Sequence, residues 1–77
     1  MVLKRPQNPM PDDIAARLDA ADLRAAYNAR APYQRNDYLG WIARAKRPET
    51  REKRLAQMLD ELAGGTHYMK MRWSPKT

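Results

Sequence analysis

Two apolar stripes at helical spacing, separated by a proline, constrain the fold of this chain most. The members of the first stripe stand at i, i+3, i+4 and i+7, with Leu39 widening it: Tyr38, Trp41, Ile42 and Ala45. The second stripe has the same spacing: Leu55, Met58, Leu59 and Leu62. Apolar residues that recur every three to four positions lie on one face of an α-helix. Two such helices can bury their stripes against each other, so the sequence predicts an all-α protein.

Proline and glycine mark where these two helices begin and end. Pro32 suits the first residue of one helix, and Pro48 both ends that helix near Lys46 and begins the next. Gly64-Gly65 is a typical C-terminal cap. We therefore expect an antiparallel pair of helices at 32–46 and 48–63. Gly40 lies inside the first stripe, where it would permit the close approach of a neighbouring helix.

The segment before Pro32 predicts two shorter helices. Asp12 and Asp13 occupy positions where an N-cap and a first helical turn favour acids. Ile14 and Leu18, four residues apart, give one short amphipathic helix. The next large apolar residue, Leu23, is five positions beyond Leu18 and therefore breaks the phase.

A second helix is predicted from about Ala20 to Ala29. The sequence Asp19-Ala-Ala-Asp22 resembles a capping box in which Asp replaces the usual Glu. One continuous helix across this point is the alternative. The predicted core collects the inward positions of all four helices: Ile14, Leu18, Leu23, Tyr27, Tyr38, Trp41, Ile42, Leu55, Met58, Leu59 and Leu62.

The chain of 77 residues is long enough for one domain. We predict a small single-domain bundle of three to four helices at 12–65, with flexible basic tails. Residues 1–11 form a flexible Pro-rich arm, and residues 66–77 form a basic tail rich in Met and aromatic residues. From His67 to Trp73 this tail alternates with a period of two. A single unpaired strand is not stable alone, so the tail either lies along the helical core or is disordered.

The composition argues against an enzyme or a cofactor site. The chain has no Cys, which excludes disulfides, thiolate metal sites and cysteine nucleophiles. It has one His, His67, and one Ser, Ser74, close together in the tail, and no ligand spacing for a metal. The acidic pair Asp60-Glu61 is explained by solvation and helix capping. No apolar run resembles a signal peptide or a membrane span, so a cytoplasmic location is expected.

The net charge of +6 is concentrated partly in residues 44–54, which we call the basic elbow. Six of its eleven residues are basic, opposed only by Glu49 and Glu52. It spans the start of the predicted fourth helix, where free N–H groups favour anions. The candidate anion- or partner-binding residues are Arg44, Lys46, Arg47, Thr50, Arg51 and Arg54. The candidate contact residues of the tail are Tyr68, Arg72 and Trp73.

Several of these residues also have a purely structural interpretation. Arg51 precedes Leu55 by four positions, so its guanidinium could instead stack on Trp41 or pair with Asp37. Trp73 could cover an apolar groove of the protein rather than stack on a partner. The elbow as a whole could be a solvated helix corner.

Two classes of binding function remain. The first is a non-enzymatic module that engages a protein partner or an anionic ligand through the basic elbow and the tail. The alternative is nucleic-acid binding, favoured by a pI near 10.1 and by aromatic residues interleaved with Lys and Arg in the tail. The oligomeric state is left open.

The run from about Asp12 to Gly65 resembles the YdeI/OmpD-associated, or bacteriocin-protection, family. The resemblance rests on Tyr38, Trp41 and Ile42, then Ala45-Lys46, Glu49-Thr50-Arg51 and Arg54, closed by Gly64-Gly65. Leu55 stands where the family usually has Ile. In many relatives this helical module follows a larger N-terminal domain, whereas here a short Pro-rich arm precedes it. The resemblance implies a link to bacteriocin or envelope stress and supplies no catalytic residues.

Overall fold

The computed structural model describes residues 8–72, which form four helices and a short hairpin. The elements in chain order are α1 (Asp12–Ala20), α2 (Arg24–Ala29), α3 (Pro32–Ala43), α4 (Pro48–Gly64), β1 (His67–Tyr68) and β2 (Met71–Arg72). The predicted all-α class is confirmed. Most of the predicted N-terminal arm and the end of the predicted tail lie outside the described residues.

The two prolines and the terminal glycine act as the sequence predicts. Pro32 and Pro48 are the first residues of α3 and α4. Gly65 caps α4 in the left-handed conformation, with φ of 76°, and its N–H bonds the carbonyl of Glu61. The third helix ends at Ala43, three residues earlier than predicted. The chain must become extended at Arg47, the residue before a proline, and the intervening residues make that change.

The first two helices are separate, so the continuous-helix alternative is wrong. Asp22 adopts a left-handed φ of 58°, and the N–H of Leu23 bonds back to the carbonyl of Leu18. The predicted capping box is also wrong, because Asp19 still belongs to α1 and its carboxylate binds the guanidinium of Arg24 at 3.1 Å. The second helix therefore begins at Arg24.

The predicted N-cap at Asp12 is one residue too late. Pro11 is the N-cap residue of α1, and no side chain caps that helix. Asp12 and Asp13 lie in its first turn, where the helix dipole favours their negative charge, as expected.

The core forms where the apolar stripes of the four helices meet. Its buried members are Ile14, Leu18, Tyr27, Tyr38, Leu39, Ile42, Leu55, Met58 and Leu62. The three other predicted core residues, Leu23, Trp41 and Leu59, are half-buried and pack against this cluster. The stripes therefore predicted the packing faces correctly.

Gly40 permits a close approach, but the approaching group is not a helix. A Cβ at Gly40 would stand 2.8 Å from the side-chain nitrogen of Asn8. Asn8 is held there because its main-chain N–H and its amide both bond Asn36, at 2.8 and 3.0 Å. The expected neighbouring helix is thus replaced by the segment that leads into α1.

The tail pairs with itself rather than remaining a single strand. His67 pairs with Arg72 and Tyr68 with Met71 in antiparallel register. The two turn residues between them have φ of 52° and 65°, as a tight two-residue hairpin requires. The Tyr68 ring packs edge-on against Tyr38, with centroids 5.4 Å apart, and thereby fixes the hairpin on the core.

Candidate functional site

The basic elbow is the connection from α3 to α4 together with the first two turns of α4. Arg44 is the C-cap of α3, and Arg47 is the extended N-cap residue of α4. No side chain caps this helix start, and Glu49 supplies a negative charge in the first turn. The predicted site therefore lies where free N–H groups and cationic side chains occur together.

Arg51 pairs with α1, so its predicted contacts with Trp41 and Asp37 are both wrong. Its guanidinium donates to the two carboxylate oxygens of Asp13 at 2.6 and 3.1 Å. These hydrogen bonds hold the pKa of Asp13 below its usual value. A second bidentate pair joins the same two helices, between Arg17 and Glu52 at 2.8 and 2.9 Å.

Arg54, rather than Arg51, contacts Trp41. Its guanidinium lies 5.3 Å from the centre of the indole ring, and it donates to the Trp41 carbonyl at 2.6 Å. The helical phase explains why Arg54, and not Arg51, contacts Trp41. Residues 54 and 61 are two turns apart on the side of α4 that faces α3, whereas residue 51 lies on the side that faces α1.

The remaining cations among the predicted site residues are available to a partner. Arg44, Lys46 and Arg47 are exposed, and within residues 8–72 their side chains make no hydrogen bond or ion pair. Thr50 is half-buried just after them. The structure thus divides the predicted site into two arginines with intramolecular roles and three free cations.

The three predicted contact residues of the tail differ in what the structure shows of them. Tyr68 is half-buried, stacks edge-on against Tyr33 and Tyr38, and donates its hydroxyl to Asp37 at 2.7 Å. Its observed contacts are therefore intramolecular. Arg72 contributes its backbone to the hairpin, and Trp73 lies outside the described residues.

The prediction that Glu61 is a solvated acid is wrong, because Glu61 is buried and holds the hairpin turn against α4. Its side chain accepts hydrogen bonds from the Tyr38 hydroxyl, from Gln57 at 3.2 Å, and from the backbone N–H groups of Met69 at 2.8 Å and Lys70 at 2.7 Å. Burial by itself would raise the pKa of Glu61, but these donors outweigh it and lower the pKa. For Tyr38, burial and the bond to Glu61 raise the pKa of the phenol.

The position of Glu61 within α4 already indicates that this side chain is at least partly buried. Glu61 follows Met58 by three residues and Gln57 by four, so it borders the apolar stripe instead of opposing it. An acid at such a position needs buried donors, and the hairpin turn supplies two of them. Those two donors could not be predicted without the turn geometry.

The single histidine has only a local contact. His67 is exposed, and its Nδ1 lies 3.1 Å from the hydroxyl of Thr66. Ser74, the other half of the pair considered in the sequence, lies outside the described residues. Within residues 8–72, no group of three or more His, Asp or Glu side chains could hold a metal ion.

The fold and the elbow together define a small basic helical domain with a charged corner between its two longest helices. The model of the family described as "Bacteriocin-protection, YdeI or OmpD-Associated" matches residues 8–65, which is most of the chain. The protein belongs to this family. No curated protein and no solved structure matches it. Among the helices of the described residues, none is long and apolar enough to cross a membrane.

The matched segment agrees with the boundaries of the helical unit. It begins at Asn8, the residue that bonds Asn36, and ends at Gly65, the cap of α4. The hairpin follows the matched segment, although Glu61, which anchors its turn, lies inside it.

Proposed function

We propose that this protein is a non-enzymatic binding module whose basic elbow engages an acidic surface of a protein partner or another anionic ligand. The observation that carries the proposal is the set of three exposed cations, Arg44, Lys46 and Arg47, which have no acceptor within residues 8–72. They stand beside the N-terminus of a helix of 17 residues, where the helix dipole adds to their attraction for an anion.

The non-enzymatic part of the proposal is supported by how the titratable groups are used. Glu61 is the buried carboxylate of the described region, and four structural donors occupy its oxygens. A carboxylate held in this way with a lowered pKa is a poor proton acceptor. The exposed His67 contacts a neighbouring threonine and has no fixed catalytic partner among residues 8–72.

A cytoplasmic location and a role in protection against bacteriocins or envelope stress belong to the same proposal. The family description names bacteriocin protection. A basic protein that binds an acidic partner could serve such a role without catalysis. This part of the proposal is tested by whether a strain lacking the protein becomes more sensitive to bacteriocins, and whether an elbow variant fails to restore resistance.

The binding test compares two double variants with the same change in net charge. Lys46→Gln with Arg47→Gln removes two free cations of the elbow. Arg24→Gln with Lys70→Gln removes two exposed cations elsewhere. Fluorescence anisotropy with a labelled poly-glutamate peptide should show weaker binding for the elbow variant, by about tenfold, and little change for the control. Equal affinities of the two variants would remove the elbow from the proposal.

A labelled single-stranded oligonucleotide of mixed sequence tests the alternative function. Nucleic-acid binding should weaken linearly in log–log form as salt increases, with a slope of about −0.7 for each phosphate contact. If the oligonucleotide binds with a steep slope and more tightly than the peptide, the nucleic-acid function replaces the one proposed.

A further inference from the structure

A polar cavity lies between α2, α3 and the segment that leads into α1. Its volume is about 420 Å³, within the range of small-molecule sites. Its lining combines two cations, a phenol, amides and apolar side chains, among them Arg24, Arg35, Tyr27, Asn28, Met10 and Leu39. None of these residues belongs to the basic elbow.

Tyr27 presents an unused donor in this cavity. The residue is only 6% exposed, and its hydroxyl makes no hydrogen bond within residues 8–72. Burial raises the pKa of this phenol, against the opposing influence of Arg35 and Arg24, and so favours the protonated hydroxyl. A protonated phenol can donate to an oxygen of a ligand.

Arg35 supplies an uncompensated charge at the same place. Its Nε is buried and has no acceptor, and no ion pair in the described region involves this guanidinium. Arg24 differs, because its guanidinium is bound by the two oxygens of Asp19. Buried charged donors in native proteins are nearly always satisfied, so an unsatisfied one beside a cavity indicates a missing acceptor.

We propose that this cavity binds a small organic oxyanion, a carboxylate or a phosphate monoester, through the Arg35 guanidinium and the Tyr27 hydroxyl. The planar guanidinium offers parallel N–H groups that match the two oxygens of such an anion. Leu39 and Met10 offer an apolar wall for the rest of the ligand. This site goes beyond the binding of a partner at the elbow.

The test is an NMR titration of the ¹⁵N-labelled full chain. Benzoate and phenyl phosphate are the two anionic probes, and benzamide is a neutral probe of similar shape. The expected result is saturable shifts of the amides of Tyr27, Asn28 and Arg35 at about millimolar benzoate or phenyl phosphate, and much weaker shifts with benzamide. The stronger of the two anionic probes identifies the preferred oxyanion.

Three variants make the test specific. Tyr27→Phe keeps the buried ring and removes only the hydroxyl, and it should weaken binding about tenfold. Arg35→Gln should abolish saturation in the same range. Arg47→Gln makes the same charge change at the elbow and should leave the affinity unaltered, which separates this site from the proposed function.

Three results would overturn the inference. The first is the absence of saturable shifts in the unmodified protein, which would indicate a site for solvent only. The second is equal binding of benzamide, and the third is unchanged affinity in a folded Arg35→Gln variant. Loss of binding in Arg47→Gln alone would assign the anion to the elbow and equally reject the cavity.

Discussion

Replacing Glu61 by Gln should destabilise the protein strongly, although the two side chains have the same shape. One carboxylate oxygen accepts from the Tyr38 hydroxyl and the Met69 N–H, and the other accepts from the Lys70 N–H and the Gln57 amide. The new amide group must occupy one of these two positions. The tyrosine hydroxyl and the glutamine amide can reorient, but a backbone N–H cannot. One backbone donor is therefore left facing another donor.

The magnitude follows from two contributions. Hydrogen bonds to a charged acceptor contribute about 1.5–3 kcal/mol each, neutral ones about 1 kcal/mol, and an unsatisfied buried donor costs about 1–3 kcal/mol. With some relaxation of the turn, we expect Glu61→Gln to lower the free energy of unfolding by about 2–4 kcal/mol. A domain of 77 residues has a total stability of about 4–12 kcal/mol, so the loss is a large fraction of it.

Thermal unfolding followed by circular dichroism measures this effect. A loss of about 3 kcal/mol should lower Tm by roughly 12–24 °C in a domain of this size. Tyr38→Phe removes one hydrogen bond to the carboxylate but leaves its three other donors paired, so it should cost only about 1.5 kcal/mol, the lower end of the range for a charged acceptor. If Glu61→Gln melts as the unmodified protein does, or if Tyr38→Phe is the worse of the two, the carboxylate is not the anchor of the hairpin.

The pH dependence provides a second check on the same anchor. The pKa of Glu61 is lowered in the folded protein, so its stabilising contribution is fully present above the ordinary glutamate value of 4.5. It is lost as pH falls below 4.5 and through the lowered folded pKa. The difference in Tm between the unmodified protein and Glu61→Gln should therefore shrink as pH is lowered below 4.5. A constant difference across that range would contradict the assignment.

Three further substitutions test the fold and the division of the elbow. Gly65→Ala should cost about 1 kcal/mol because of its left-handed φ, whereas Gly64→Ala, which has open space around it, should leave Tm unchanged or slightly higher. Arg54→Ala should cost about 1–2 kcal/mol through its lost indole and carbonyl contacts, and Arg47→Ala should stay within about 0.5 kcal/mol in the same melting assay. Gly40→Ala places a Cβ 2.8 Å from an amide of the N-terminal segment, so backbone NMR shifts should show that segment displaced.

The periodic apolar stripes predicted the helices and their buried faces, because burial of one face is encoded by local spacing. Pro32, Pro48 and Gly65 fixed the helix ends for equally local reasons. The prediction failed where the motif competed with another side-chain contact. Asp19 resembles a capping residue, yet Arg24 binds its carboxylate after the chain has turned.

The contacts of Gly40 and Glu61 could not be predicted for a related reason. Their partners come from outside the helical pattern, from Asn8 before α1 and from the turn after α4. Sequence spacing indicates that Gly40 permits a close contact and that Glu61 needs hydrogen-bond donors. It does not show which segment supplies the contact or the donors. Met69 and Lys70 both adopt left-handed φ angles, but neither is a glycine, so the sequence gives no glycine signal for this turn.

The division of the basic elbow follows from where α4 begins. From Pro48 onward, helical phase sets the direction of each side chain, so Arg51 faces α1 and Arg54 faces α3, whereas Lys53 is exposed. Lys46 and Arg47 precede the helix and are not placed on either face, and they remain exposed. Arg51 and Arg54 can therefore be replaced only at a cost in stability, whereas the cations of the connection can be replaced with little effect on the fold. This difference lets binding at the elbow be tested independently of folding, and it makes Lys46 and Arg47 the decisive pair for the proposed function.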